Sequence, residues 1–208
     1  MGTPGRAGDN TWVGVHASPY GDLYHEDAAV GLAITGRLFG VHWGTLTTPV
    51  ATPATQAITT ALPQAMLRVP DGTAIIPLLC NITIEAAGAT TQGEIAIAIC
   101  QNDVGNGTST AGTTQPLSLN TAAPLASNCV SRQLVTSGIT AEVNMLELDR
   151  QTFAASAVNQ KYVWNPRASK VIPLLRGPAT FLIYIGGNAV SFFAELQWKE
   201  FSETAVQN

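Results

Sequence analysis

The chain has 208 residues, long enough for one large all-β domain or for one domain with long arms. Only 12% of its residues are Asp, Glu, Lys or Arg, against about 25% in an ordinary soluble domain. Because charged residues are depleted at the cores of protein interfaces, this composition favours an assembled protein, with an uncharged extracellular surface as the alternative. The net charge of −4 and the absence of any Lys/Arg cluster argue against a nucleic-acid partner.

The N-terminal part predicts an arm and not a domain. Residues 1–20 are rich in Gly and Pro, which is typical of a segment that is ordered only by docking. Residues 30–34 alternate as a short strand would, with a helix over residues 26–38 as the alternative. Thr, Ala and Pro dominate residues 45–62 and favour extended chain. We therefore expect residues 1–62 to form an N-terminal arm and connecting segment.

The first residues lack a basic stretch followed by an apolar one, so we expect no signal peptide. The sequence has no run of about 18 apolar residues that would predict a membrane helix, so we expect no membrane partner. We therefore expect the chain to be synthesised in the cytoplasm.

The main domain is predicted to cover residues 63–208, with residues 69–101 at its centre. Pro70, Asp71 and Gly72 predict a tight turn. After the turn, two Ile-rich runs at residues 75–85 and 94–101 alternate as half-buried strands do. The polar segment between them favours an antiparallel pair.

The rest of the domain predicts further strands around one long irregular stretch. Residues 102–128 lack apolar periodicity, which indicates a functional surface loop. Strand-like runs follow at residues 130–136 and 139–148. Three closing strands are expected at residues 171–175, 181–185 and 190–201, joined as hairpins by the turns at residues 176–178 and 186–188.

About eight strands without a convincing helix predict an all-β fold, an antiparallel β-sandwich of jelly-roll type with an extended N-terminal arm. An immunoglobulin-like sandwich is the alternative, but it would require a central Trp between paired cysteines.

The sequence contains no motif that predicts catalysis. A G-x-S-x-G elbow is absent, and His25 and Glu26 lack the second His of a zinc-protease motif. Cys80, Cys100 and Cys129 have no metal-ligand spacing, so free buried thiols are expected, with a Cys80–Cys100 disulfide as the alternative. We expect no enzyme activity, no cofactor and no metal.

The chain resembles the jelly-roll structural proteins of tailed bacteriophages. The resemblance rests on the strand entry at residues 69–78, on the closing run at residues 192–201, and on the Gly/Thr-rich, low-charge composition. It implies a virion component such as a capsid cement (decoration) protein or a related head or fibre protein, often trimeric. No catalytic residue is implied.

The predicted function is therefore structural. The chain, made in the host cytoplasm, would form a homotrimer on the capsid surface of a virion and clamp neighbouring major capsid subunits, with aromatic residues of the arm as anchors. The alternative is a receptor- or glycan-binding module that uses the loop at residues 102–128. The predicted partner-binding residues are Trp12, Tyr20, Tyr24 and Trp43.

Overall fold

The computed structural model describes residues 5–6, 12–13, 36–52, 55–88, 92–111, 115–122, 124–137, 139, 144–169 and 172–203. They form β1 (Gly5–Arg6), β2 (Trp12–Val13), β3 (Leu38–Trp43), β4 (Val50–Ala51), β5 (Thr55–Gln56), β6 (Ala65–Val69), β7 (Thr73–Ala86), β8 (Gly93–Cys100), β9 (Thr108–Ala111), β10 (Leu117–Ser118), β11 (Val130–Ser137), β12 (Met145–Phe153), β13 (Val158–Trp164), the short helix α1 (Pro166–Ser169), β14 (Leu175–Arg176), β15 (Ala179–Asn188) and β16 (Ser191–Ser202).

Two antiparallel sheets make up the domain. The front sheet has the order β10-β3-β16-β7-β13, with β4 and β14 as additions to β16 and β7. The back sheet has the order β12-β8-β15-β6-β11-β9, with β5 added to β15. The inward side chains of both sheets meet in one buried cluster that includes Trp198, Phe192 and Phe181. The prediction of an all-β antiparallel sandwich is confirmed.

The chain crosses repeatedly between the two sheets. The eight strands β3, β6, β7, β8, β12, β13, β15 and β16 make a four-stranded path in each sheet, β3-β16-β7-β13 in front and β12-β8-β15-β6 behind. Six of the seven steps between these strands, taken in chain order, pass from one sheet to the other, and only the step from β8 to β12 joins strands that pair with each other. Strands that follow each other along the chain therefore mostly belong to opposite sheets.

This arrangement corrects the predicted hairpins. The Ile-rich strands β7 and β8 do not pair but lie in opposite sheets, and so do β15 and β16. Strand β14 pairs with β7, so the turn at residues 176–178 also connects the two sheets. The turn expected at residues 186–188 is the end of β15, and the chain turns at Ala189 with a φ of 45°. Period-two alternation identifies the buried face of a strand, but it does not distinguish a neighbour in the same sheet from one across the core.

The sandwich begins before residue 63, so the structure corrects the predicted boundary of the arm. Strand β3 lies inside the front sheet between β10 and β16, and β4 also pairs with β16. The inward side chains of β3 are among the most buried in the described part of the chain: Phe39, Val41 and Trp43. Residues 38–51 are part of the domain. The strand predicted at residues 30–34 lies outside the described residues.

The back sheet has a second apolar cluster on its outer side. Met66, Leu182 and Tyr184 point away from the main core, and Ile58 packs on them from the segment before β6. The hydroxyl of Tyr184 donates a hydrogen bond to the carbonyl of Thr60 at 2.8 Å. The chain thus covers part of the outer side of its own back sheet.

Each sheet edge carries a feature that opposes further strand pairing. The edge strands β9 and β10 are only four and two residues long. Strand β12 has a register shift between Glu147 and Asp149, and Asp149 points inward beside Ile97. Strand β13 has a positive φ of 52° at Asn159, near its start. Short edges, irregular backbone and inward charges all oppose edge-to-edge pairing.

Candidate interaction surface

Two exposed leucines lie on the outer side of the front sheet. In β3 the inward residues are Phe39 and Val41, so Gly40 lies on the outward face. Leu117 of β10 pairs with Gly40, and Leu119 follows two residues later on the same side. Leu117 is 65% exposed and Leu119 is 46% exposed. We call these two side chains, with Gly40 beside them, the leucine surface.

The leucine surface is held to the sheet by its backbone. Leu119 lies close over Gly40, since a Cβ added to Gly40 would be 3.5 Å from Cδ2 of Leu119. The backbone of Leu119 donates a hydrogen bond to the carbonyl of Leu38 at 2.8 Å, and the hydroxyl of Ser118 donates one to the carbonyl of Gly36. Backbone hydrogen bonds to the sheet therefore fix the position of the two leucines.

A second feature of the same outer side lies toward the opposite end of β16. The strand registers place Phe193, Thr83 and Lys161 in one row across β16, β7 and β13. A neighbouring row contains Glu195, which pairs with His42 of β3 on one side and with Asn81 of β7 on the other. Together the two rows line a depression of about 120 Å³.

The aromatic part of this depression is held in place by the backbone. Gly44 has a φ of 94°, and a Cβ added to it would lie 3.0 Å from Cδ1 of Phe193. The ring of Phe193 therefore lies directly on the backbone of Gly44. The ring of His42 stacks beside it, with 5.9 Å between the centroids and an interplanar angle of 30°. We call Phe193 and His42 the aromatic platform.

The polar part of the depression surrounds one carboxylate. The Nε2 atom of Gln197 donates a hydrogen bond to Oε1 of Glu195 at 2.6 Å, and Nδ2 of Asn81 donates a longer one to Oε2 at 3.4 Å. Lys161 is exposed on the edge strand beside them. The depression thus combines an apolar ring with hydrogen-bond donors and acceptors.

A different carboxylate, that of Glu200, is buried near the end of the sandwich. Its oxygens accept hydrogen bonds from the hydroxyl of Ser127 at 2.6 Å, the backbone N–H of Asn128 at 2.9 Å and the indole of Trp198 at 3.3 Å. Glu200 is 6% exposed. Its role is to fix the segment before β11 against β16, because neutral donors satisfy it from three positions.

The predicted recognition loop at residues 102–128 is partly ordered by pairing. It contains β9, which pairs with β11, and β10, which pairs with β3. Arg68 also binds Asp103 and Asn106 in the first part of the loop. The side-chain oxygens of Asp103 and Asn106 thus face a guanidinium group.

Among the predicted anchors, Trp43 is the one whose side chain the structure describes. It is 0% exposed, and its indole donates a hydrogen bond to the carbonyl of Arg132 at 3.0 Å. Trp43 is a core residue and is not available to a partner, which corrects its assignment as an anchor. Trp12 lies in β2, and Tyr20 and Tyr24 lie outside the described residues.

The three cysteines are free and buried. Burial raises the pKa of the Cys80 thiol, and the neighbouring charge of Glu195 raises it further. Burial likewise raises the pKa of Cys129, with Glu200 adding to the shift. Both thiols are therefore held in the protonated form, which is a poor nucleophile and a poor metal ligand.

Within the described ranges, no group of three or more His, Cys, Asp or Glu side chains is placed to hold a metal ion. The same part of the chain has no helix long and apolar enough to cross a membrane. No family model, no curated protein and no solved structure matches this chain.

Sequence reasoning missed both features of the front sheet. The alternation in residues 192–199 already separates Phe193 and Glu195 from the buried face of β16. Their partners His42, Asn81 and Lys161 come from three other strands, and only the strand order brings them together.

Proposed function

We propose that the chain is a structural virion protein, a capsid cement (decoration) protein that assembles as a homotrimer and clamps neighbouring major capsid subunits. The observation that carries the proposal is the leucine surface, where Leu117 and Leu119 are 65% and 46% exposed on a sheet face. Exposed apolar residues that a sheet holds in a fixed position are suited to contact with another protein surface. The scarcity of charged residues in the whole chain supports the same function.

The strand order supports the jelly-roll part of the proposal. Each sheet contains a four-stranded path, and the chain alternates between the paths at nearly every step. Eight strands in two sheets are the architecture of a jelly roll, which is found in viral capsid proteins and in lectins. A fold of this type hosts many functions, so the leucine surface carries the argument and the fold only agrees with it.

The features that oppose strand pairing at the sheet edges indicate how assembly would occur. The register shift in β12, the irregular start of β13 and the short β9 and β10 oppose the addition of a strand from another copy. The domain therefore favours assembly through side chains on the face of a sheet. In the trimer, the leucine surface forms the contact between copies, and three equivalent capsid contacts elsewhere on the trimer then give avidity for a symmetric capsid.

Co-sedimentation with heads purified from the virus that encodes the chain tests the function. The wild-type protein should pellet with the heads at saturable stoichiometry, and heads that carry it should resist heat or chelator treatment longer than bare heads. Failure to pellet with heads at any concentration would contradict the cement function.

A further inference from the structure

The depression on the front sheet has the chemistry of a carbohydrate site. We propose that the aromatic platform and the polar side chains around it bind one neutral pyranose ring of a surface saccharide. This binding site is separate from the proposed capsid contact and does not rest on it. It also differs from the loop at residues 102–128, which the alternative function considered for the sequence would use.

The platform supplies the apolar half of such a site. Sugars present a face of C–H groups that packs on aromatic rings, and a ring that is already fixed loses little entropy when the sugar binds. Phe193 is fixed because it lies on the backbone of Gly44, and it is half-buried, so part of the ring stays open to the solvent. His42 extends the surface through its stacking contact.

The polar half can bind hydroxyl groups. The carboxylate of Glu195 accepts hydrogen bonds, the amide of Asn81 both donates and accepts, and the hydroxyl of Thr83 does the same. Lys161 adds a donor at the edge of the sheet. Alternating donors and acceptors beside an aromatic ring match the hydroxyl groups of a sugar better than they match a purely apolar or purely ionic ligand.

The size of the depression limits the ligand. Its volume of about 120 Å³ is below the roughly 300 Å³ of pockets that enclose drug-sized molecules. It would therefore hold one ring of a longer saccharide and leave the rest in solvent. Affinity for a single sugar should be weak, with a Kd of about 1 mM.

The position of the depression leaves it accessible in the proposed assembly. Gln197 lies in the same row as Gly40 and the leucine surface. Phe193 is four residues farther along β16, which corresponds to about 13 Å. The two features lie toward different ends of the same sheet face, so one can contact protein while the other contacts saccharide.

Saturation-transfer difference NMR on the full chain tests the site directly. The probes are glucose, galactose, mannose and N-acetylglucosamine, each at about 10 mM. We expect signals from the C–H groups of one face of at least one sugar. The variant Phe193→Leu, which keeps an apolar side chain but removes the ring, should weaken binding by about tenfold.

Glu195→Gln should weaken binding by a similar factor, while Glu147→Gln on the back sheet should leave it unchanged. Thermal melting of each variant shows whether the fold is intact. The absence of saturation transfer from the wild-type protein to every probe would overturn the proposal. Equal binding by the wild type and by folded Phe193→Leu and Glu195→Gln would overturn it as well. Neither outcome depends on whether the protein pellets with heads.

Discussion

Arg68 binds Asp103 through two hydrogen bonds, one of them from Nε to Oδ1 at 2.6 Å. Arg68 lies in β6, and Asp103 lies in the loop after β8. A third bond from the same guanidinium group reaches Asn106. One side chain of the back sheet therefore fixes the start of the long loop.

Removal of this ion pair should destabilise the protein modestly. Arg68→Ala should lower the free energy of unfolding by about 1 kcal/mol, because the pair is partly exposed and screened. Urea denaturation measures the change. Arg176→Ala, which removes a more exposed guanidinium group from its pair with Glu203, is the control and should cost less. Equal losses in the two variants would contradict the role of Arg68.

The same pair predicts a dependence on pH. The hydrogen bond from Arg68 lowers the pKa of Asp103 below its usual value, with burial opposing the shift. A carboxyl group whose pKa is lower in the folded state than in the unfolded state stabilises the protein at a pH above its unfolded-state pKa. This stabilisation is lost as the pH falls through the folded-state pKa. Between about pH 5 and pH 2, wild-type stability should fall more steeply than that of Asp103→Asn. Parallel curves in urea titrations would contradict this.

A substitution of Glu200 that preserves the shape of the side chain should destabilise the protein. Glu200→Gln replaces one acceptor oxygen with an N–H₂ group, which faces either the donors of Ser127 and Trp198 or the backbone N–H of Asn128. We expect a loss of about 1–3 kcal/mol in the free energy of unfolding, measured by urea denaturation. The control Glu85→Gln affects one contact of 3.4 Å and should change stability by less than about 0.5 kcal/mol.

Gly93 should not tolerate a side chain. A Cβ at this position would lie 2.0 Å from Cζ of Phe153 and 2.7 Å from the carbonyl oxygen of Gly186. Gly93→Ala should therefore lower the free energy of unfolding by about 3 kcal/mol or prevent folding. Gly40→Ala, where the nearest atom is 3.5 Å away, is the matched control and should retain the wild-type melting temperature.

Two N-terminal truncations should differ sharply. Deletion of residues 1–35 leaves β3 intact, and the protein should still unfold cooperatively. Deletion of residues 1–44 removes β3 with the buried side chains of Phe39, Val41 and Trp43, and the protein should lose cooperative unfolding. Similar melting curves for the two truncations would contradict the corrected domain boundary.

Local patterns predicted the strands better than their arrangement. Alternation in residues 190–201 puts Phe192, Leu196 and Trp198 on one face of the strand, and this is the buried face of β16. It did not show that β7 and β8 lie in opposite sheets, because a strand has the same buried face in either case. Trp43 was assigned to the arm because Thr-rich, Pro-rich residues follow it, and composition does not show that β3 pairs with β16.

The leucine surface and the aromatic platform could not be predicted from the sequence for a related reason. Leu117 and Leu119 lie in a stretch without apolar periodicity, and the pairing of β10 with the edge of β3 decides that they point outward. The aromatic platform depends on Gly44, whose positive φ allows Phe193 to lie on the backbone. Contacts of this kind between distant residues follow from strand order and not from local sequence.

The mass of the protein in solution tests the central claim most directly. Sedimentation velocity should give about 65 kDa for the wild type, three times the 21.8 kDa of one chain. The variant Leu117→Glu/Leu119→Glu should sediment as a monomer, because it places charge on the leucine surface. The matched control Leu46→Glu/Leu146→Glu changes two other exposed leucines and should remain trimeric. A wild-type protein that stays monomeric at all concentrations, or a folded Leu117→Glu/Leu119→Glu variant that stays trimeric, would contradict the account.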